Sequence, residues 1–224
     1  MDINSFEMLV RRRQSIRQFR DTPVSQDVIE AVLSDAQQSP SNCNTQPWLV
    51  HVVSGDVRSQ LSEALKQAHD SSQLSSDFYF DMAEYPEPYS NRNHAHAQAR
   101  YDALRIARSD KKARHANQRE NLDFFGAPHV AFLFMPCFGD GVRVAGDLGM
   151  YGQTFLLSLA SKGLGGIPQT MLGLYADTVR SVLEVDPQFK LLFGISFGFP
   201  DSSAPVNSYR VGRLPISESV VFHD

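Results

Sequence analysis

The chain has 224 residues, 42% hydrophobic and 21% charged, a balance that fits one large globular domain needing no disulfide staples. Its net charge of −4 removes the sequence-wide attraction that nucleic acid or an anionic membrane would exert, so any anion site must be local. Cys43 and Cys137 lie far apart without a CxxC partner, no apolar run approaches the ~20 residues of a membrane span, and Met1-Asp-Ile-Asn-Ser is acidic and leaderless; these features predict a cytoplasmic protein with neither a disulfide framework nor structural zinc.

Asn4 followed by Glu7 reads as a capping box, and Ile3, Phe6, Leu9 and Val10 recur at helical spacing, predicting a helix over about residues 5–13. It delivers the chain to Arg13-Gln14-Ser15-Ile16-Arg17. In an extended segment, residues two apart share a face, so Arg13, Ser15 and Arg17 can converge on one anion while Ile16 turns inward. Guanidinium groups suit phosphate because they donate in pairs and never deprotonate. A solvated charge run continuing Arg11-Arg12 is the competing reading.

After Asp21-Thr22-Pro23, a helix from Ser25 to about Gln38 is expected to bury Val28, Ile29, Val32, Leu33 and Ala36, and to break in the polar turn Ser39-Pro40-Ser41-Asn42-Cys43-Asn44. Trp48–Val53 reads as a buried strand, and Gly55-Asp56 leads into a helix carrying Val57, Leu61, Leu65 and Ala68. Residues 71–91 interleave Phe78, Tyr79, Phe80, Tyr85 and Tyr89 with Pro86 and Pro88, the composition of a mobile loop that covers a site. Residues 95–125 read as two helices split near Ser109-Asp110. His129–Met135 is a second buried strand, Val142 to about Lys162 a long buried helix capped by Gly163, Ala176–Leu183 a short helix, and Phe189–Phe197 a further strand. Few strands and many helices predict a single α+β domain over residues 1–224, a small sheet wrapped by helices. The tail, residues 205–224, has a late apolar pair, Val220-Val221, and no helical period. It reads either as an arm exchanged with a second subunit or as a partly disordered terminus.

Three motifs invite other chemistry. Gly194-Ile-Ser196-Phe-Gly198 matches a hydrolase nucleophile elbow after a strand, but Phe199-Pro200-Asp201 is a poor helix start, and Asp201 with His223 would make a compressed triad. His94, His96 and His115 lack a matching carboxylate for metal binding and read as surface histidines. Gly163-Leu-Gly165-Gly166 follows a helix, so it reads as a cap and turn instead of a dinucleotide loop.

Four segments taken together carry a resemblance: Arg13-Gln-Ser15-Ile-Arg17-Gln-Phe19, Ser39–Trp48, Gly163-Leu-Gly-Gly-Ile-Pro168-Gln169, and Asn207-Ser-Tyr-Arg210-Val-Gly-Arg213-Leu-Pro215. In this order they resemble the landmarks of the nitroreductase family of flavin enzymes, and among these the nitrobenzoate-type members. The resemblance implies an α+β fold of three layers with a small mixed, mainly antiparallel sheet surrounded by helices, and a homodimer holding tightly bound FMN at the subunit interface, with residues 71–125 as a variable lid and residues 200–224 as the exchanged tail. By position, Arg13, Ser15 and Arg213 hold the FMN phosphate, Gln14 adds polar contacts, and Arg17 serves the ribityl chain or the N1–O2 edge. Pro40, Ser41, Asn42 and Asn44 come from the partner subunit to line the ring. Pro168, Gln169, Thr170 and Met171 pass beside it, placing a main-chain N–H at N5. Val211 stands where many members have a basic residue, with Arg210 as a candidate substitute, and Thr170-Met171 stands where several have Glu-Gly.

The implied activity is NADH- or NADPH-dependent reduction of nitroaromatics or quinones by a ping-pong hydride mechanism, with a small planar aromatic substrate stacked against the Phe78–Tyr101 aromatics and no side chain acting as nucleophile. A non-catalytic FMN store would share the binding residues, and a serine hydrolase through Ser196 is the remaining class.

Overall fold

The computed structural model describes residues 5–223. The helix α1 covers Phe6–Arg12, and its cap is Ser5, whose hydroxyl accepts from the Met8 N–H at 3.4 Å. The expected cap Asn4 and the apolar position Ile3 lie outside the described residues. Next come α2 (Gln26–Ala36), β1 (Leu49–Ser54), α3 (Gly55–Asp70), α4 (Tyr89–Ala103), α5 (Lys111–Arg119), β2 (His129–Pro136) and α6 (Val142–Ser161). The chain closes with β3 (Gly165–Gln169), α7 (Thr170–Gly173), α8 (Ala176–Leu183) and β4 (Phe189–Gly198).

The strands form one sheet in the order β1-β2-β4-β3, with every pairing antiparallel. The parallel component expected in a mixed sheet is limited to bridges outside it, Ser15 to Gly166 and Ser75 to Tyr175. Strand β2 explains the three layers. It is buried on both faces, so Val130, Phe132 and Phe134 join one core with Leu61 and Leu65 of α3 and Val179 of α8. Ala131, Leu133 and Met135 alternate into a second core with Val32 of α2 and Leu148, Phe155 and Leu159 of α6. A chain that must bury both sides of a strand cannot alternate polar and apolar, which is why this strand reads as a continuous apolar run.

Strand β3 and α7 had no signature. Gly165-Gly166-Ile167-Pro168-Gln169 is poor strand chemistry, but a Pro is tolerated on an edge and β3 is an edge strand. The two glycines are therefore not the expected turn. Gly163, at φ 72°, is the cap that ends α6, whereas a Cβ on Gly165 would lie 2.5 Å from Ile16 Cγ1 and one on Gly166 would lie 2.9 Å from Leu156 Cδ2. Close approach of the arginine segment to Gly165, and of α6 to Gly166, requires the missing side chains. Val57, expected on the buried face of α3, is exposed, while Leu61, Leu65 and Ala68 are buried. Among the described residues, no helix is long and apolar enough to cross a membrane.

Candidate functional site

The arginine segment leaves α1 in extended conformation and docks against β3, Ile16 N donating to Gly166 O at 3.3 Å. Ile16 is buried while Arg13, Ser15 and Arg17 line one cavity, as the spacing predicts, but strict alternation fails at two positions: Gln14 lines the cavity too, and Phe19, of the arginines' parity, is buried. A cavity of about 740 Å³ opens there, lined by Arg13, Gln14, Ser15, Arg17, Arg210 and Arg213, with Val10, His96, Gln153 and Tyr209 also on its wall.

Among the described residues, no carboxylate lies within ion-pair distance of Arg13, Arg17, Arg210 or Arg213. Arg13 has its pKa lowered by burial and then by the positive charge of Arg213. Arg17 is lowered by burial, with Tyr209 opposing this and Arg100 adding to it. A guanidinium stays charged under such shifts, so the cavity concentrates uncompensated positive charge and calls for an anion.

The cations are held by neutral partners. Arg17 Nη1 donates to the Tyr209 hydroxyl at 2.7 Å, and the same hydroxyl lies 3.2 Å from His96 Nε2. His96 has its pKa lowered by burial and by Arg17, Arg100 and Arg213, which keeps the imidazole neutral at neutral pH. Asn207 is buried and ties three stretches together: its Oδ1 accepts from Arg17 N at 2.8 Å, and its Nδ2 donates to Gln18 O and Asp201 O, each at 2.8 Å. Its carbonyl accepts from Gln14 Nε2 at 3.1 Å and Arg210 Nη1 at 3.0 Å. Sequence reasoning gave no role to His96, Tyr209 or Asn207. Asn207 and Tyr209 stood inside a recognised landmark, whereas nothing in the spacing of His96 announces a contact reaching residue 209.

The other predicted site residues sit elsewhere in the same chain. Pro40, Ser41, Asn42 and Asn44 occupy the turn between α2 and β1 and do not line the arginine cavity. That turn is tightly fixed. Ser41 Oγ accepts from Gln46 N at 2.9 Å, Asn42 N donates to Asp147 Oδ1 at 3.0 Å, and Cys43, Asn44 and Gln46 all have positive φ. Pro168 is exposed near the end of β3. Gln169 is buried, its Nε2 donating to Asn121 O at 2.9 Å and its Oε1 accepting from Ser196 Oγ, so only its main chain is left for a ligand. Thr170 helps line a smaller cleft of about 190 Å³ with Phe78, Tyr79, Phe80, Leu174 and Leu192, while Met171 packs on the core.

Ser196 is fully buried within β4, its hydroxyl spent on Gln169. No substrate can reach it. The flanking glycines serve packing, since a Cβ on Gly194 would lie 2.6 Å from Leu172 Cδ1 and one on Gly198 2.7 Å from Pro128 Cδ. Among the described residues, no group of three or more His, Cys, Asp or Glu gathers to hold a metal ion.

The chain, a helix-wrapped antiparallel sheet with the arginine segment docked on its edge strand, belongs to the nitroreductase family, whose model matches residues 10–199. It is 41% identical to nitroreductase NfnB of Mycolicibacterium smegmatis, over 96% of this chain and 92% of that one. Identity to 4-nitrobenzoate reductase of Pseudomonas putida is 31%, over 94% and 92% of the two chains. The crystal structure of FMN-dependent NfnB from Mycobacterium smegmatis in complex with NADPH superposes with a TM-score of 0.93, covering 97% of each chain.

Proposed function

We propose that the protein is an FMN-dependent NAD(P)H oxidoreductase that reduces nitroaromatic or quinone-like acceptors. The observation that carries this reading is the meeting of Arg13, Arg17 and Arg213 on one cavity with no carboxylate among the described residues to neutralise them. A phosphate monoester suits such a donor set, and Gln14 and Ser15 add neutral donors beside it. The relatives described above are a nitrobenzoate reductase and an FMN-dependent nitroreductase crystallised with NADPH.

The chemistry that bound FMN supplies is two-electron exchange between a reduced nicotinamide and an oxidised aromatic acceptor. The protein's part is position and electrostatics. Arg13 and Arg213 neutralise the phosphate, and Ser15 and Gln14 orient it. Arg17, pinned by Tyr209, would hold a fixed positive charge beside the bound flavin. Main-chain groups of Pro168 to Met171 and the partner subunit's copy of the α2–β1 turn complete the ring site. The cleft beside Thr170, walled by Phe78, Tyr79 and Phe80, offers a planar acceptor an apolar face.

The reading includes a cytoplasmic homodimer in which residues 200–224 form an arm on the second subunit and residues 71–125 form the lid. Exposed Phe6, Val10, Ile216, Val221 and Phe222 support it, because a single chain leaves this apolar surface in water. The test is steady-state oxidation of NADPH with 4-nitrobenzoate or a quinone. Turnover is expected; a yellow protein that oxidises neither nicotinamide with any acceptor would instead be a flavin store.

A further inference from the structure

The lid carries a second concentration of positive charge, apart from the arginine segment. Residues 89–119 hold eight Lys or Arg and two Asp in a chain whose net charge is −4. Both aspartates are occupied by neutral donors, Asp102 accepting from Gln98 Nε2 at 2.7 Å and Asp110 from Ala113 N at 2.9 Å. Between α4 and α5 lies a cavity of about 330 Å³ lined by His94, Gln98, Tyr101, Arg108 and Arg114. Arg100 and Arg114 both stack on the Tyr101 ring, their Cζ atoms 4.9 and 5.1 Å from its centroid. An aromatic face fixes a guanidinium without neutralising it, so charge and donors remain for a ligand. The Nε atoms of both arginines are buried and have no hydrogen-bond partner. Among the described residues no carboxylate lies within ion-pair distance of Arg100, Arg108 or Arg114.

Helix α4 separates this cavity from the arginine cavity described above. His96 faces the latter, while His94, Ala97, Gln98 and Tyr101 face the lid cavity. A helix with its side chains is about 10–12 Å across, so a ligand that reacts on one side and is anchored on the other must be extended. A dinucleotide has that length. We infer that the cavity between α4 and α5 is a phosphomonoester subsite that takes the 2′-phosphate of NADPH, with Arg108 and Arg114 as its donors. The inference rests on the oxidoreductase reading for the identity of the dinucleotide, and makes the lid the element that selects NADPH over NADH.

Calorimetric titration of the full-length protein with adenosine 2′,5′-bisphosphate and with adenosine 5′-monophosphate tests it without turnover. The bisphosphate is expected to bind at least tenfold tighter, and Arg108→Ala, whose side chain is exposed and whose loss spares the fold, is expected to erase most of that difference. In steady state the same variant should lower the ratio of kcat/KM for NADPH to that for NADH at least tenfold, through KM. Equal binding of the two nucleotides, or a preference untouched in both Arg108→Ala and Arg108→Ala/Arg114→Ala, overturns the subsite even if the enzyme turns over. A preserved nucleotide preference in a protein without turnover supports the subsite and removes the oxidoreductase reading instead.

Discussion

Arg17 and Tyr209, 192 positions apart, meet through a 2.7 Å hydrogen bond from Nη1 to the phenol oxygen. The bond fastens the start of the tail to the arginine segment and fixes a half-buried charge without neutralising it. Tyr209→Phe keeps the ring and removes the acceptor. A bond to a charged donor contributes about 1.5–3 kcal/mol, so FMN affinity is expected to fall roughly tenfold or more as Arg17 loses its position. Fluorescence titration of the apoprotein with FMN measures this; an unchanged dissociation constant would mean that Tyr209 has no part in placing the cation.

Gly165 is the contact point of the segment with the sheet. Gly165→Ala puts a methyl group into Ile16 and Pro200, at 2.5 and 2.9 Å from their side-chain atoms. Overpacking of this kind costs about 1–3 kcal/mol, and here the strain falls on the residues that position Arg13 and Arg17. Stability and flavin retention should drop together, and Ile16→Ala in the same chain should recover part of both. A Gly165→Ala protein with wild-type urea midpoint and flavin content would show that the approach is not close.

Asp77 anchors the aromatic segment. Its carboxylate pairs with buried Arg180, and it accepts from Leu191 N at 2.8 Å. Asp77→Ala leaves Arg180 with Asp177 as its remaining carboxylate and the Leu191 N–H without an acceptor, for an expected loss of about 1–3 kcal/mol. Asp77→Asn, which keeps an acceptor, should lose less. Denaturant unfolding ranks the three proteins, and hydrogen exchange over residues 75–85 should accelerate in the alanine variant.

Burial lowers the pKa of His51, His96 and His129, with neighbouring arginines adding to the effect at His96. The unfolded chain, with histidine values near ~6.5, therefore binds more protons than the folded one at acid pH. Stability is full above that value and is lost as pH falls through it towards the lower folded-state values. Glu120, raised by burial, opposes this as a single group. The thermal midpoint should fall between pH 7 and pH 5, and His129→Gln should flatten part of the slope. A midpoint that rises over the same interval would reverse the sign assigned to these groups.

Much of the fold was legible because burial on two faces writes itself into composition. The apolar runs of β2 and β4 and the spacing of Leu148, Tyr151, Phe155 and Leu159 in α6 match the elements formed. The convergence of Arg13, Ser15 and Arg17 was legible too, with Ile16 as the inward member, whereas the burial of Phe19, out of phase with Ile16, was not. What stayed hidden depends on shape. Gly165-Gly166 become a strand because nothing else can lie so close to Ile16 and Leu156, a demand of packing that no propensity records. The exposed Val57 and Phe6 followed helical spacing without being buried by this chain. The meeting of His96 with Tyr209 joins two segments that have no local pattern in common.

FMN retention by the purified protein and by Arg13→Ala and Arg213→Ala, read as flavin absorbance after extensive dilution and as FMN released on denaturation, tests the arginine cavity most directly. The wild-type protein is expected to remain yellow with stoichiometric FMN, and each variant to bind at least tenfold more weakly, the loss of one charge-assisted bond being worth about 1.5–3 kcal/mol. A colourless wild-type protein that does not take up FMN, or variants that keep full flavin through the same dilution, would contradict the assignment of the arginine cavity.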